Sequence, residues 1–498
     1  MGYILSVDLG TSSSRVIIFD TNGCAVATGQ KEFQSSYPKT GWVEQDPEEI
    51  WRTTLSAGQI ALKKAGLKAS DILAMGITNQ RETTVLWNSE NGKPEYPAIV
   101  WQDRRTADYC EILRGAAKES LISDITGLLV DPYFSSTKLH WILHTNPGRA
   151  SDIVERAVGG ELKFGTLDTY LIWRFTRAAS HKTDASNASR TQLFDIRSQC
   201  WSDELLKLFD IPVQLMPEVC DSAADFGSCD AEWFGGEIPI MGVAGDQQAA
   251  LIGQACLKAG MTKSTYGTGC FVISNTGDKV VRSRQRLLST VAYRINGVPT
   301  YAIEGSIFVA GVAIRWLRDQ IGLIEHVADT RKAAESCNGD TGGVYFIPAF
   351  TGLGAPHWIT EARGTMSGLS LETSRDQIVT ATLQSVVFQT DELLKAMAED
   401  GATVTRLRID GGMVVNDWLC QFLADILDVS VERPECIETT ALGVAMLAGV
   451  GLGLFADLDA AARSWRLEKS FTPELSVTQR RKQTQGWAEA MRSLVEGL

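Results

Sequence analysis

Two short stretches constrain this chain more than anything else in it. Asp8-Leu9-Gly10-Thr11-Ser12-Ser13-Ser14-Arg15 lies between two apolar, strand-like runs, Tyr3 to Val7 and Arg15 to Phe19. Thr265-Tyr266-Gly267-Thr268-Gly269-Cys270 repeats the plan inside Met261 to Asn275: strand, Gly-rich turn, strand. A turn built from Gly and hydroxyl side chains lets backbone N–H groups approach phosphate oxygens. Each stretch alone reads equally well as a polar hairpin turn or a bulge. One in each half predicts a duplicated α/β chain that can close on phosphates from both sides. Neither is a P-loop, whose Gly-Lys-Ser/Thr ending is missing.

At 498 residues the chain exceeds one ordinary core, which predicts domains over 1–250 and 251–498. Hydrophobic residues at 44 % and charged residues at 21 % fit a folded globular protein. A net charge of −13 argues against nucleic acid or an anionic membrane as the main partner. It does not argue against ATP, since a phosphate site can be made from backbone N–H groups and a metal ion. The 10 cysteines form no C-x-x-C pair and histidines number 5, which points away from zinc and disulfides and towards reduced thiols in the cytoplasm. The opening MGYILSVDLG lacks the basic start of a secretory leader, and no apolar run is long enough for a membrane span.

Further elements place the polar clusters. A third strand is predicted over 24–29 after the turn Thr21-Asn22-Gly23. Asp46-Pro47-Glu48-Glu49 opens a helix over 47–65, with a cap, a Pro in the first turn and acids at the positive end. A buried strand over 72–78 ends at Asn79-Gln80-Arg81-Glu82, and strand ends in open α/β sheets are where ligands bind. Arg81 and Glu82 can serve adjacent hydroxyls, or form a surface ion pair. A strand over 239–243 leads to Gly245-Asp246-Gln247, where Asp246 either caps a helix or takes a proton from an attacking hydroxyl. Asp8, at a strand end, suits Mg²⁺, and Arg15 offers phosphate a planar fork. Trp101 and Tyr133 supply aromatic surface, as core or as a substrate wall. A strand over 407–409 ends at Asp410-Gly411-Gly412, before a helix from about Asn416.

The stretches GWVEQDP (41–47), GITNQRETT (76–84), IVWQDRRTA (99–107), TGLLVDPYFSSTKLHWIL (126–143), GTLDTYLIW (165–173), TDASNASRT (183–191), GVAGDQQAAL (242–251), TYGTGCF (265–271), PAFTGLGAP (348–356), GTMSGLSLETSRDQIVTATLQ (364–384) and ERPECIETTALG (432–443) occur in this order. In that order the chain resembles the FGGY carbohydrate kinase family. NQRET with TYGTGCF is more similar to its glycerol-phosphorylating branch than to the branches acting on xylulose, ribulose or gluconate. The resemblance implies an α/β fold of two actin-like, ribonuclease-H-like domains flanking a deep active-site cleft. It implies glycerol held by Arg81, Glu82, Tyr133, Asp246 and Gln247, with Trp101 and Phe271 on its carbons and Asp246 as general base. It further implies ATP against Thr11, Ser12, Ser13, Arg15, Thr268, Gly311, Arg315, Gly412 and Asn416, Mg²⁺ near Asp8 and Asp246, and a homodimer or homotetramer. The chain departs from the family pattern at Leu9 and Arg315, each standing where Gln is usual, and at Met413, where Ala is usual and where a bulkier side chain would narrow the adenine pocket. CDAEWFGGEIP (229–239) lacks the basic loop some relatives use for fructose 1,6-bisphosphate, and Gln479 replaces their zinc-partner Glu, so neither form of regulation is expected.

Overall fold

The computed structural model describes residues 2–359 and 361–497. Strands β1 (Tyr3–Leu9) and β2 (Ser13–Asp20) form the first predicted hairpin, with Asp8 opposite Arg15 and Leu9 opposite Ser14. β3 (Ala25–Glu32) begins close to its predicted start and runs three residues further. β4 (Ile72–Asn79) and β5 (Ile238–Gly245) complete the order β3-β2-β1-β4-β5, with β5 bordered by the two-residue edge strand Ser228–Cys229. The first three strands are antiparallel; β4 and β5 run parallel to β1.

Helix α1 (Pro47–Ala65) starts and stops where its residues dictate. The Asp46 carboxylate accepts from Glu48 N at 2.9 Å, and Gly66 closes the helix at φ 68°. α1 packs on β2 and β3. Helix α2 (Asp246–Gly253) leaves the end of β5 directly.

A second sheet repeats the plan. It contains β6 (Thr262–Tyr266), β7 (Cys270–Gly277), β8 (Leu288–Ile295), β9 (Val298–Ile307), β10 (Arg406–Asp410), β11 (Ser430–Pro434) and β12 (Leu467–Phe471). The order β8-β9-β7-β6-β10-β11-β12 again sets an antiparallel hairpin beside two parallel strands. Its helices are α3 (Gly311–Trp316), α4 (Arg375–Glu399), α5 (Asp417–Leu427) and α6 (Thr439–Gly451). The repeated strand order is the actin-like α/β arrangement that the resemblance implies.

The sheets have separate apolar cores and share a third. The shared core forms because α6, from late in the chain, crosses to the first sheet and packs on β1, β4 and β5. Leu442, Val444, Met446 and Leu447 of α6 are all buried there. Burying a side chain of that size contributes about 1.5–3 kcal/mol, so the four contribute roughly 6–12 kcal/mol before conformational entropy is counted. At their closest approach α2 and α6 meet backbone to backbone. A Cβ on Gly253 would lie 1.9 Å from Thr439 O, and one on Gly443 would lie 1.8 Å from Ala249 O. Only glycine permits that approach.

Candidate active site

At the end of β1, Leu9 points inward and is completely buried in the first core. Its apolar side chain supports the sheet and takes no part in the turn. Gly10 N donates to Ser13 O at 3.0 Å, leaving Thr11, Ser12 and Ser13 on the solvent side. Gln45 fixes this turn from below. Its Nε2 donates to Thr11 O at 2.7 Å and Ser35 Oγ at 2.9 Å, while its Oε1 accepts from Gln80 Nε2 at 2.8 Å. Sequence reasoning missed Gln45, whose only signal was its place in GWVEQDP. The Arg15 guanidinium pairs with Glu438, the residue just before α6, so a carboxylate of the second half already holds it.

The second hairpin is tied to α3. Ala310 N and Val312 N donate to Thr268 O at 3.1 and 3.2 Å, and Gly311 N donates to Gly267 O at 3.0 Å. Arg315 Nη2 reaches Thr268 Oγ1 at 3.4 Å. Gly411 adopts φ 94°, and a Cβ there would lie 2.5 Å from Tyr266 O, so glycine is required for the chain to pass behind the hairpin. Met413 Sδ lies 3.5 Å from where a Cβ on Gly311 would stand. Thr268, Gly311, Arg315 and Met413 therefore meet at one turn, with exposed Gly412 next to Met413. The Asn416 side chain caps α5, its Oδ1 accepting from Trp418 N at 3.1 Å and Leu419 N at 3.3 Å.

Between the hairpins lies a buried ionic cluster. Arg81 is 2 % and Glu82 1 % exposed, so the pair is no surface ion pair. Nor do they chiefly bind each other, since Arg81 Nε is 3.9 Å from Glu82 Oε1. Arg81 Nε lies 3.1 Å from Asp246 Oδ1, while its Nη1 and Nη2 donate to Glu304 at 2.5 and 3.0 Å. Glu82, held at φ 61°, accepts from Arg190 Nε at 2.7 Å, and Arg190 Nη2 reaches Glu304 at 3.2 Å. Gln247 Oε1 accepts from Lys263 Nζ at 2.5 Å, which turns the amide nitrogen of Gln247 the other way. Glu304, Arg190 and Lys263 were not singled out from sequence. Arg190 lies within TDASNASRT and Lys263 stands two residues before TYGTGCF, whereas Glu304 carries no local signal.

The aromatic wall is also assembled. Trp101 meets Tyr133 with ring centroids 5.6 Å apart and Phe271 at 6.2 Å, both edge to face. Trp101 Nε1 donates to Thr11 Oγ1 at 3.2 Å. Phe271 lies in the second hairpin, on β7 just past its turn, so Thr11, Trp101 and Phe271 form a continuous line of contacts from one hairpin to the other.

Burial governs the ionisation of this site. It raises the Asp246 carboxyl above its usual range, opposed by Arg81 and Lys263. It pushes the Asp8 carboxyl up to about 7, against Arg15 and with added push from Glu438 and Asp246. Glu304 is also raised by burial, but Arg190 and Arg81 outweigh that and hold it at about 2. Burial raises the Tyr133 phenol, which keeps it a donor. The donor set fits Mg²⁺: two carboxylates, one of them an Asp8 whose raised carboxyl a nearby cation would draw back towards its ionised form. Among the described residues no group of three or more His, Cys, Asp or Glu could hold an ion unaided, so phosphate oxygens would complete its shell. Among the described residues no helix is long and apolar enough to cross a membrane.

Comparison with known proteins gives concordant results. Residues 3–253 match the N-terminal domain of the FGGY family of carbohydrate kinases, and residues 262–452 match its C-terminal domain. A glycerol kinase of Ectopseudomonas mendocina is 57 % identical over 491 residues, 98 % of each chain. A crystal structure of Plasmodium falciparum glycerol kinase with ADP superposes with a TM-score of 0.91 at 34 % identity, covering 99 % of this chain and 98 % of that one. A xylulose kinase from Lactobacillus acidophilus shares the fold, with a TM-score of 0.87 at 20 % identity over 99 % of both chains.

Proposed function

Because the chain belongs to the FGGY family of carbohydrate kinases, we propose that it transfers the γ-phosphoryl group of ATP to glycerol, giving sn-glycerol 3-phosphate and ADP. The observation that carries this reading is the setting of Asp246. It lies between the two hairpins with 29 % of its side chain exposed, against Arg81 on one side and beside Gln247. The same reaction is carried by the name of the Ectopseudomonas mendocina relative, and the Plasmodium falciparum enzyme was solved with ADP.

In this reading glycerol lies against Trp101 and Phe271. Arg81 and Tyr133 donate to its oxygens, Glu82 accepts from a hydroxyl, and Gln247 donates through the nitrogen that Lys263 leaves free. Asp246 takes the proton of a terminal hydroxyl as that oxygen attacks the γ-phosphorus and the bond to the ADP oxygen breaks. Phosphoryl transfer needs positioning and charge stabilisation more than a strong base. The phosphates lie between Thr11, Ser12, Ser13 and Arg15 on one side and Thr268 with Arg315 on the other. The base of the nucleotide lies near Gly311, Gly412 and Asn416. Mg²⁺ held near Asp8 and Asp246 would neutralise charge on the phosphate oxygens. The reading includes a division into domains near residue 250, a homodimer or homotetramer, and a cytoplasmic setting where ATP and glycerol meet.

The test is ADP release with ATP, Mg²⁺ and, in turn, glycerol, dihydroxyacetone, glyceraldehyde, erythritol, xylulose or no acceptor. Release with glycerol that is much weaker with four- and five-carbon acceptors supports the reading; release only with a larger acceptor replaces the substrate. Asp246→Asn should lower turnover by about 10²–10⁴ with the fold intact. Near-normal turnover in that variant removes Asp246 from the role.

A further inference from the structure

Arg81 faces carboxylates on two sides. Asp246, partly exposed, meets its Nε; Glu304, completely buried, takes the Nη1–Nη2 edge with both oxygens. The two carboxylates come from different sheets, Asp246 from the end of β5 and Glu304 from β9. Arg81 Nη1 also donates to Gln248 Oε1 at 3.2 Å. A guanidinium has five N–H donors in a fixed plane, so this grip leaves little freedom and few donors to spare. Without Glu304, the paired Nη groups could swing onto Asp246 as a bidentate pair. That would take Arg81 away from an incoming hydroxyl and occupy both oxygens of the candidate base.

We infer that Glu304, on the second sheet, is a positioning residue for the acceptor site on the first: its fork on Arg81, shared with Arg190, aims Arg81 at the substrate and keeps it edge-on to Asp246. The inference rests on the reading of Arg81 as a glycerol ligand. It makes the acceptor site dependent on both halves being together, because Arg81 and Arg190 reach Glu304 only across that junction, and Arg190 in turn holds Glu82. A purely structural ion pair would hold the halves together without favouring one substrate. A positioning residue affects the acceptor alone.

The experiment compares wild type, Glu304→Gln and Glu304→Asp. Wild-type ADP release with glycerol is measured first, and its absence counts against the proposed function alone. In Glu304→Gln, KM for glycerol should rise about 30-fold or more, the scale expected for one lost partner of a buried charged pair. KM for ATP should stay within about threefold, the scatter of uncoupled sites. Glu304→Asp keeps the charge on a shorter side chain, and should give an intermediate rise. A crystal structure of either variant without ligand should show the Arg81 guanidinium turned towards Asp246, a readout independent of activity. Equal rises in both KM values, or an Arg81 unmoved in both variants, would overturn the inference.

Discussion

The contact between α2 and α6 makes one substitution unusually informative. In Gly443→Ala the new Cβ would stand 1.8 Å from Ala249 O and 3.0 Å from Gly253 N, both backbone atoms that cannot rotate away. A tolerable carbon–oxygen contact needs about 3.3 Å, so the helices must part by roughly 1.5 Å. A gap of 0.5–1 Å already forfeits about a quarter to a half of the dispersion well. Applied to the roughly 6–12 kcal/mol from the four large α6 side chains, that is a loss of about 1.5–6 kcal/mol. Alanine returns about 1 kcal/mol of helix propensity, which leaves a net loss of about 3 kcal/mol. In a chain this long that lowers Tm by only about 3 °C if the molecule unfolds as one unit. The larger effect is on turnover, because α2 begins with Asp246. A displacement near 1 Å can cost about 10²-fold. The assays are calorimetry and ADP release, with Gly115→Ala as control: a Cβ there meets nothing within 4 Å, and the variant should equal or exceed wild type in stability. Gly443→Ala with unchanged Tm and turnover would refute the close approach.

Three further outcomes are expected. Gln45→Ala frees Thr11 O and leaves the Gln80 amide unpaired, costing about 1–3 kcal/mol of stability; KM for ATP should rise more than KM for glycerol. Trp101→Phe keeps the ring contacts but loses the bond to Thr11 Oγ1, a loss of about 0.5–1.5 kcal/mol that should appear in nucleotide binding by calorimetric titration. His181 is lowered to about 4 by burial, although its bond to Phe164 O opposes this. Between that value and the unfolded value of about 6.5 the unfolded chain binds the extra proton, so stability falls as pH drops through this window. The contribution is on the order of 3 kcal/mol, lost progressively between about pH 6.5 and pH 4. Urea titrations of wild type and His181→Gln at pH 7.5 and 5 should show a shallower pH slope in the variant, and equal slopes would remove His181 as the cause.

Local physics made much of this molecule legible in its sequence. The α1 boundaries follow from Asp46, Pro47 and the residues that precede Gly66, and both hairpins are signalled by short apolar runs around Gly-Thr turns. Arg81, Glu82, Asp246 and Gln247 were found because each stands at a strand end with polar neighbours. Glu304 left no such trace: it is a lone acid in an apolar strand, and its partners lie 223 and 114 residues away in the chain. Arg190 and Lys263 are similar, since their roles arise from packing between the sheets. Gln479 shows a simple local role, with its side chain accepting from Ser476 N at 3.0 Å in the capping box of the final helix.

The crossing of α6 also bears on how the protein is made. Strand β5 leaves the ribosome with the rest of the first sheet, but the helix that covers one face of that sheet ends at Gly451, some 200 residues later. At about 5–20 residues per second, that apolar face waits roughly 10–40 s for its cover. During translation the nascent first half is therefore a client for holding factors. Stopping synthesis near residue 250 should yield a sticky fragment, whereas co-expression of residues 251–498 should rescue it by supplying α6 from a separate chain.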